Sequence, residues 1–298
     1  MSTNAPRIAI LGTGKMGSAI AGRLDEDGFD LILWNRTRAR AGALGLGRVA
    51  GSPRSAAIDA DVVISSLTGP EAVRAAYLGP NGALKAGAGK LFIEMSTAGP
   101  DLVSVLAADV VAAGGRLIDA PIVGAPTFMR DGNATILVGG DEDDVERGRP
   151  ILGGMGTVRH VGPLGNGARL KLVANSMLAD VILAATELQV AGVRSGLDPD
   201  DVFWMLQRMA PLLATRHDGI VEDRHVPVLF ALRDLRKDLD LSSALFAPAE
   251  LRTPLTARAR QLVIAATKRY GDLDITAVER TYRELDPTLD GDRREAAP

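Results

Sequence analysis

Lys171 and Asn175 stand four residues apart in Gly165-Asn166-Gly167-Ala168-Arg169-Leu170-Lys171-Leu172-Val173-Ala174-Asn175, a stretch that opens on glycines and then reads as helix. Residues at that spacing share a helix face, so an ammonium and a carboxamide would project side by side. Leu170, Leu172 and Val173 flank the lysine, and an apolar setting lowers an ammonium's pKa toward that of a usable proton donor and acceptor. Taken alone, the segment favours an ordinary surface lysine on an amphipathic helix. Other chemistries are scarce. The chain has no Cys, which removes thiol nucleophiles, disulfides and Cys-built zinc or iron-sulfur sites. Its three His, at 160, 217 and 225, lack the i, i+4 spacing of a helical metal pair and read as solvated or structural, so no metal is expected.

A second group is built for phosphate. Gly12-Thr13-Gly14-Lys15-Met16-Gly17 follows the apolar run Arg7-Ile8-Ala9-Ile10-Leu11 and leads into Ser18-Ala19-Ile20-Ala21-Gly22-Arg23-Leu24. Between a strand and a helix, Gly12 permits the tight turn, Gly14 the backbone's approach to a pyrophosphate, and Gly17 close helix-to-sheet packing. Lys15 lies in this loop, where only backbone is required. A dinucleotide-binding unit for NAD carries an acid about 20 residues further on, for the ribose 2'-hydroxyl. Asn35-Arg36-Thr37 stands there instead. A carboxylate would repel a 2'-phosphate, whereas a guanidinium binds it in a fork and Asn and Thr donate further hydrogen bonds. NADP(H) is therefore the expected cofactor.

These groups need a scaffold, and the chain supplies two kinds. Up to about residue 160, apolar runs at Ile8-Leu11, Leu31-Trp34, Val62-Leu67, Leu91-Met95, Leu117-Ala120 and Thr135-Val138 alternate with Ala-rich helical stretches, the rhythm of a parallel sheet. After Gly162-Pro163-Leu164-Gly165-Asn166-Gly167 the strands stop, and the chain reads as helix to Tyr282, with breaks near Gly196-Pro199, Pro211, Pro227 and Pro248. The expected fold class is α/β: a Rossmann-type parallel sheet over residues 1–164, then an all-α domain over 165–298, with a long helix between them. A length of 298 residues suits two domains.

Composition narrows the function classes. The 34 basic residues are 28 Arg and six Lys, and against 37 acidic residues they leave a net charge of -3, so a nucleic-acid binder is not expected. Met1 to Pro6 has no basic region followed by an apolar core, and Leu178 to Val193 is interrupted by Asp180, Glu187 and Gln189. The expectation is a cytoplasmic protein without a membrane partner. Trp204, Met205, Met209, Leu212 and Leu213 follow helical spacing and read as core, and Asp141-Glu142-Asp143-Asp144 as an acidic first helical turn.

Taken in order, these motifs resemble the β-hydroxyacid dehydrogenase family, which includes 3-hydroxyisobutyrate dehydrogenases and glyoxylate/succinic semialdehyde reductases. Gly12 to Gly17 with Met16 is similar to the family's glycine signature, and Ser96-Thr97 to its pair beside the nicotinamide. Asp119-Ala120-Pro121-Ile122-Val123-Gly124 resembles its substrate-binding segment, and Gly165 to Asn175 its catalytic helix. Arg236-Lys237-Asp238-Leu239 and Gly271-Asp272-Leu273-Asp274 match its two C-terminal motifs. The resemblance implies reversible hydride transfer between a nicotinamide and a carbonyl carbon, with Lys171 as general acid/base and Asn175 orienting substrate and lysine. It places Ser96, Val123 and Gly124 with the substrate, and Leu67, Thr97 and Lys237 with the cofactor beside Gly12, Gly14, Lys15, Met16, Gly17, Asn35, Arg36 and Thr37.

One departure concerns the substrate. The family commonly has Ser followed by two Gly where this chain has Val123-Gly124-Ala125-Pro126, so an apolar surface replaces a hydroxyl and points to a bulkier or less polar substrate. Two other readings are open: an NADPH-dependent imine reductase or reductive aminase, which usually lacks the lysine, and a catalytically inactive NADP-binding sensor. The long apolar helix near Ala168 to Val193 is hard to cover within one ~130-residue helical domain, which points to a homodimer or higher homo-oligomer.

Overall fold

Strands covered by helices on both sides must be apolar on both faces. The computed structural model describes residues 5–249 and 253–284, and its first unit follows that rule. β1 (Ile8–Leu11), α1 (Lys15–Glu26), β2 (Leu31–Trp34), α2 (Arg38–Gly42), β3 (Arg48–Val49), α3 (Pro53–Ile58), β4 (Val62–Ser65), α4 (Pro70–Leu78), β5 (Leu91–Glu94), α5 (Pro100–Ala112) and β6 (Arg116–Asp119) succeed one another. They form a six-stranded parallel sheet of order β3-β2-β1-β4-β5-β6. Ile10, Ile64, Ile93 and Ile118 face one core, and Ala9, Val63, Phe92 and Leu117 the other. The strand order reverses beside β1 and β4, whose carboxyl ends flank the crevice where such sheets take their ligand.

β7 (Ile122–Val123), α6 (Pro126–Arg130), β8 (Ala134–Val138), α7 (Glu142–Leu152) and β9 (Gly156–His160) follow. Here the structure corrects the expectation of one parallel sheet. Five of the six anticipated strands join it, but β8 belongs to a separate sheet, β7-β8-β9, antiparallel to β7 and parallel to β9. β3 and β7 are two residues long, too short for a periodic signal, and β9 is mostly exposed with Arg159 and His160 at its end. α7 does open on the acidic run, with Arg116 paired to Asp141 and Asp144.

From α8 (Asn166–Arg194) onward the described chain is helical: α9 (Pro199–Met209), α10 (His217–Ile220), α11 (Leu232–Phe246), α12 (Pro254–Tyr270) and α13 (Val278–Glu284). Two compact units result, Met1–Leu172 and Val173–Pro298, so the first turns of α8 belong to the first unit. Ile182, Leu232, Leu235, Leu239 and Val263 make the core of the second. Its polar hub is Asp274, whose carboxylate takes both short bonds from Arg216 and accepts from the amides of Leu229 and Phe230. That is why Asp274 ends the Gly271-Asp274 motif.

By length and composition α8 could cross a membrane. Two of its polar side chains are engaged within the second unit: Thr256 donates to Asp180, and Gln189 to the carbonyl of Pro199. The stripe expected as core behaves otherwise. Leu213 is buried, but Trp204, Met205, Met209 and Leu212 are exposed, because α9 turns Phe203 inward in their place.

Candidate active site

The glycine loop joins β1 to α1, and each glycine has a separate physical reason. Gly12 adopts φ +101°, and a Cβ there would lie 2.2 Å from the Ser66 carbonyl oxygen. A Cβ on Gly17 would lie 2.0 Å from the oxygen of Gly12. Gly14 meets nothing within 4 Å; it caps α1 without a side chain and leaves open space at the helix's positive end. A dinucleotide's pyrophosphate fits that space. Thr13 N–H donates to Asn35 Oδ1 at 3.2 Å, and Asn35 Nδ2 donates to the Thr37 carbonyl, which ties the loop to the end of β2. No acid stands from Trp34 to Arg40, and Arg36, Arg38 and Arg40 are all exposed. Met16 packs against the core while Lys15 is exposed.

The ends of β4 and β5 are linked through side chains. Leu67 N–H donates to Ser96 Oγ at 2.9 Å, and Ser96 N–H to Glu94 Oε1 at 2.7 Å. Ser65 Oγ donates to Glu94 Oε2 and lies 2.7 Å from the Tyr77 hydroxyl. Burial lifts the Glu94 carboxyl to about 7, against the pull of its Ser65, Ser96 and Tyr77 hydrogen bonds. Thus Leu67 and Ser96 are brought together beside Gly12, with half-buried Thr97 next in the chain. Sequence reasoning missed Glu94. A carboxylate closing the wholly apolar run Leu91-Phe92-Ile93 was the available signal.

Lys171 is positioned by a third buried acid-to-backbone contact. Asp119, at the end of β6, accepts 2.6 Å hydrogen bonds from the amides of Gly165 and Ala168, at the start of α8. Burial raises its carboxyl to about 6, with those two amides working in the opposite direction. Glycines make the approach possible: a Cβ on Gly139 would lie 2.4 Å from Asp119 Oδ1, and one on Gly167 2.3 Å from the Leu137 carbonyl. Lys171 follows one turn later and is half-buried. The apolar setting expected around it is thinner than the sequence implied, since Leu170 and Val173 are exposed and only Leu172 is core. Adjacent residues on a helix face different directions. Val123 is half-buried in β7, and exposed Gly124 takes φ +141° against Phe128.

In the second unit Asn175 Nδ2 donates to Asp238 Oδ2, and Lys237 Nζ pairs with Asp238 Oδ1 at 2.5 Å. Since a carboxylate only accepts, this contact sets which end of the Asn175 amide faces α11. Asp238, set aside on sequence grounds, therefore joins two of the residues assigned to the site. Histidines do gather with acids: His217 with Asp218 and Glu222, and His225 with Asp223 and Glu279. Arg224 pairs with the first cluster's acids, and Arg280 and Arg283 with the second's, so both are ion-pair networks.

A crevice at a strand-order reversal and a glycine-lined helix start define a dinucleotide-binding protein of the Rossmann class. Residues 7–163 match the NAD-binding domain of 6-phosphogluconate dehydrogenase, and residues 165–282 the NAD-binding domain of NADP-dependent 3-hydroxyisobutyrate dehydrogenase. The chain belongs to the β-hydroxyacid dehydrogenase family. It is 32% identical over 297 residues to 3-hydroxyisobutyrate dehydrogenase of Pseudomonas aeruginosa, covering 94% of this chain and 99% of that one. Glyoxylate/succinic semialdehyde reductase 2 of Arabidopsis thaliana is 30% identical over 91% of this chain and 78% of its own. The 3-hydroxyisobutyrate dehydrogenase of Mycobacterium tuberculosis, solved with L-serine, superposes with a TM-score of 0.82 at 27% identity over 94% of this chain and 100% of that one. The nuclear factor N-PAC of Mus musculus is 31% identical over 93% of this chain, which spans about half, 51%, of its length. An imine reductase from Myxococcus stipitatus shares the fold alone, at 18% identity and TM-score 0.65 over 92% of this chain and 99% of that one.

Proposed function

We propose that the protein is an NADP(H)-dependent oxidoreductase that interconverts a β-hydroxyacid and its semialdehyde or keto acid, with Lys171 as general acid/base. The observation that carries this reading is the placement of Lys171: half-buried, one turn beyond a helix start held by Asp119 and one turn before the Asp238-held Asn175. The bound nicotinamide would supply or accept the hydride at the carbonyl carbon. Lys171 gives the carbonyl oxygen its proton in reduction and removes it in oxidation. Asn175 orients the oxygen and Lys237 serves the cofactor. Ser96, the backbone at Gly124 and the apolar side chain of Val123 shape the substrate subsite. On this reading residues 1–164 are the NADP-binding domain, and residues 165–298 the substrate and dimerisation domain.

The preference for NADP(H) rests on the missing carboxylate after Trp34 and on exposed Arg36. Arg36→Ala is expected to lower kcat/KM for NADPH by roughly 10- to 100-fold, the worth of a charge-assisted phosphate contact, and to leave that for NADH nearly unchanged. Steady-state kinetics with both cofactors checks this, and a wild-type preference for NADH would refute it.

Self-association is inferred from one face of α8. Leu170, Val173, Met177 and Leu188 recur at helical spacing and are all exposed. A second copy covering that face gives a homodimer. Sedimentation is expected to show a dimer that Met177→Glu dissociates; a stable wild-type monomer of 31.2 kDa would contradict it.

A further inference from the structure

Glu94 is a buried acid that the proposed chemistry leaves unused. Its carboxylate lies beneath the carboxyl edge of the sheet, on the half formed by β4, β5 and β6. In a sheet of this order the adenosine half of a dinucleotide belongs to β1–β3, so the nicotinamide half falls over β4–β6. There Glu94 carries the chain of contacts outward: it holds Ser96 N–H, and Ser96 Oγ holds Leu67 N–H, whose side chain borders Gly12.

We propose that Glu94 is a positioning residue that discriminates between oxidised and reduced cofactor by its charge, the ionised carboxylate favouring the form whose nicotinamide ring is positive. This rests on the cofactor reading above. The surrounding hydrogen bonds have a direction that depends on that charge. With Glu94 ionised, Tyr77 O–H donates to Ser65, Ser65 to Oε2 and Ser96 N–H to Oε1. With Glu94 protonated, Oε2 donates to Ser65 and Ser65 donates to Tyr77, so the phenol no longer donates to Ser65. A carboxyl at about 7 would change charge across the neutral range.

Few other groups face it. Tyr77, from α4, is held further above its ordinary value by burial and by Glu94 itself, so it remains a donor. Asp119, the register partner of Glu94 on β6, is turned to the amides of α8. The other acids and bases of the flanking helices, Glu71 and Arg74 on α4 and Asp101 and Asp109 on α5, are not buried. Linkage then fixes the sign: oxidised cofactor, binding the ionised form better, should release a proton and bind more tightly as pH rises.

The test is direct binding of NADP+ and NADPH to the full chain without substrate, followed by calorimetry between about pH 6 and about pH 8.5. The ratio of the two dissociation constants is read, because the 2'-phosphate and every other group common to both forms cancels. In the wild type the ratio should move on the order of tenfold in favour of NADP+ across this range, as expected for one charge acting through the protein edge. Glu94→Gln presents N–H to Ser65 and a carbonyl to Ser96, as the protonated acid would, so its ratio should stay at the low-pH value at every pH. Tyr77→Phe removes a hydrogen bond that favours ionised Glu94, and should move the midpoint to higher pH. A ratio in Glu94→Gln that still follows the wild-type curve, or equal weakening of both forms, overturns the inference while leaving the cofactor reading intact. Failure of the wild type to bind either form overturns both.

Discussion

Lys171→Ala is expected to lower kcat by about 10²- to 10⁴-fold, the usual worth of a positioned general acid/base. In the proposed mechanism the lysine would act on the proton at the substrate oxygen and not on cofactor binding, so the dissociation constant for NADPH should remain near that of the wild type. Lys171→Arg should lose nearly as much activity, because a guanidinium stays charged and cannot exchange the proton. Steady-state kinetics with a thermal melt on the same samples separates the chemical loss from unfolding. A folded Lys171→Ala protein with near-wild-type kcat would remove the lysine from the mechanism.

Asp119→Ala should have a large effect on the stability of the first unit. It leaves the amides of Gly165 and Ala168 buried without acceptors, at about 1–3 kcal/mol each, and frees the helix start that places Lys171. A loss of roughly 2–4 kcal/mol in denaturant unfolding is expected, together with a fall in kcat. The pH dependence has a definite sign. Asp119 rises from 3.8 to about 6 and Glu94 from 4.5 to about 7, so the folded state holds both protons more tightly than the unfolded chain. Their contribution to stability is complete below the lower values, falls as pH rises above them, and is gone once pH has passed about 6 for Asp119 and about 7 for Glu94. Denaturant midpoints across that range should decline less steeply in Asp119→Ala than in the wild type; an unchanged slope would contradict the assignment.

Much of the fold was legible because parallel strands buried on both faces are continuous apolar runs, and β1, β2, β4, β5 and β6 all begin within one residue of where those runs begin. The second sheet was hidden because β7 has two residues and β9 is largely exposed, so neither repeats long enough to show a period. Within the site, the glycine loop was legible through its spacing between a strand and a helix: the carbonyl that closes on Gly17 is that of Gly12 in the same loop, whereas the one that closes on Gly12 comes from Ser66, just past the end of β4. Asp119, Glu94 and Asp238 were not assigned roles of their own, because their partners lie 46, 2 and 63 residues away or on backbone atoms, which carry no residue type. The exposed Trp204-Met209 stripe misled for the opposite reason. Its spacing gives a face, and only packing shows that Phe203 turns inward instead.

The central claim is carbonyl chemistry under NADPH. The most direct measurement is the initial rate of NADPH oxidation with glyoxylate, succinic semialdehyde and a cyclic imine in parallel, with NADP+ reduction by 3-hydroxyisobutyrate as the reverse reaction. Turnover of an aldehydic acid or hydroxyacid, with at most slow reduction of the imine, is the expected result. Tight NADPH binding without turnover of any carbonyl, or turnover of the imine alone, would contradict it.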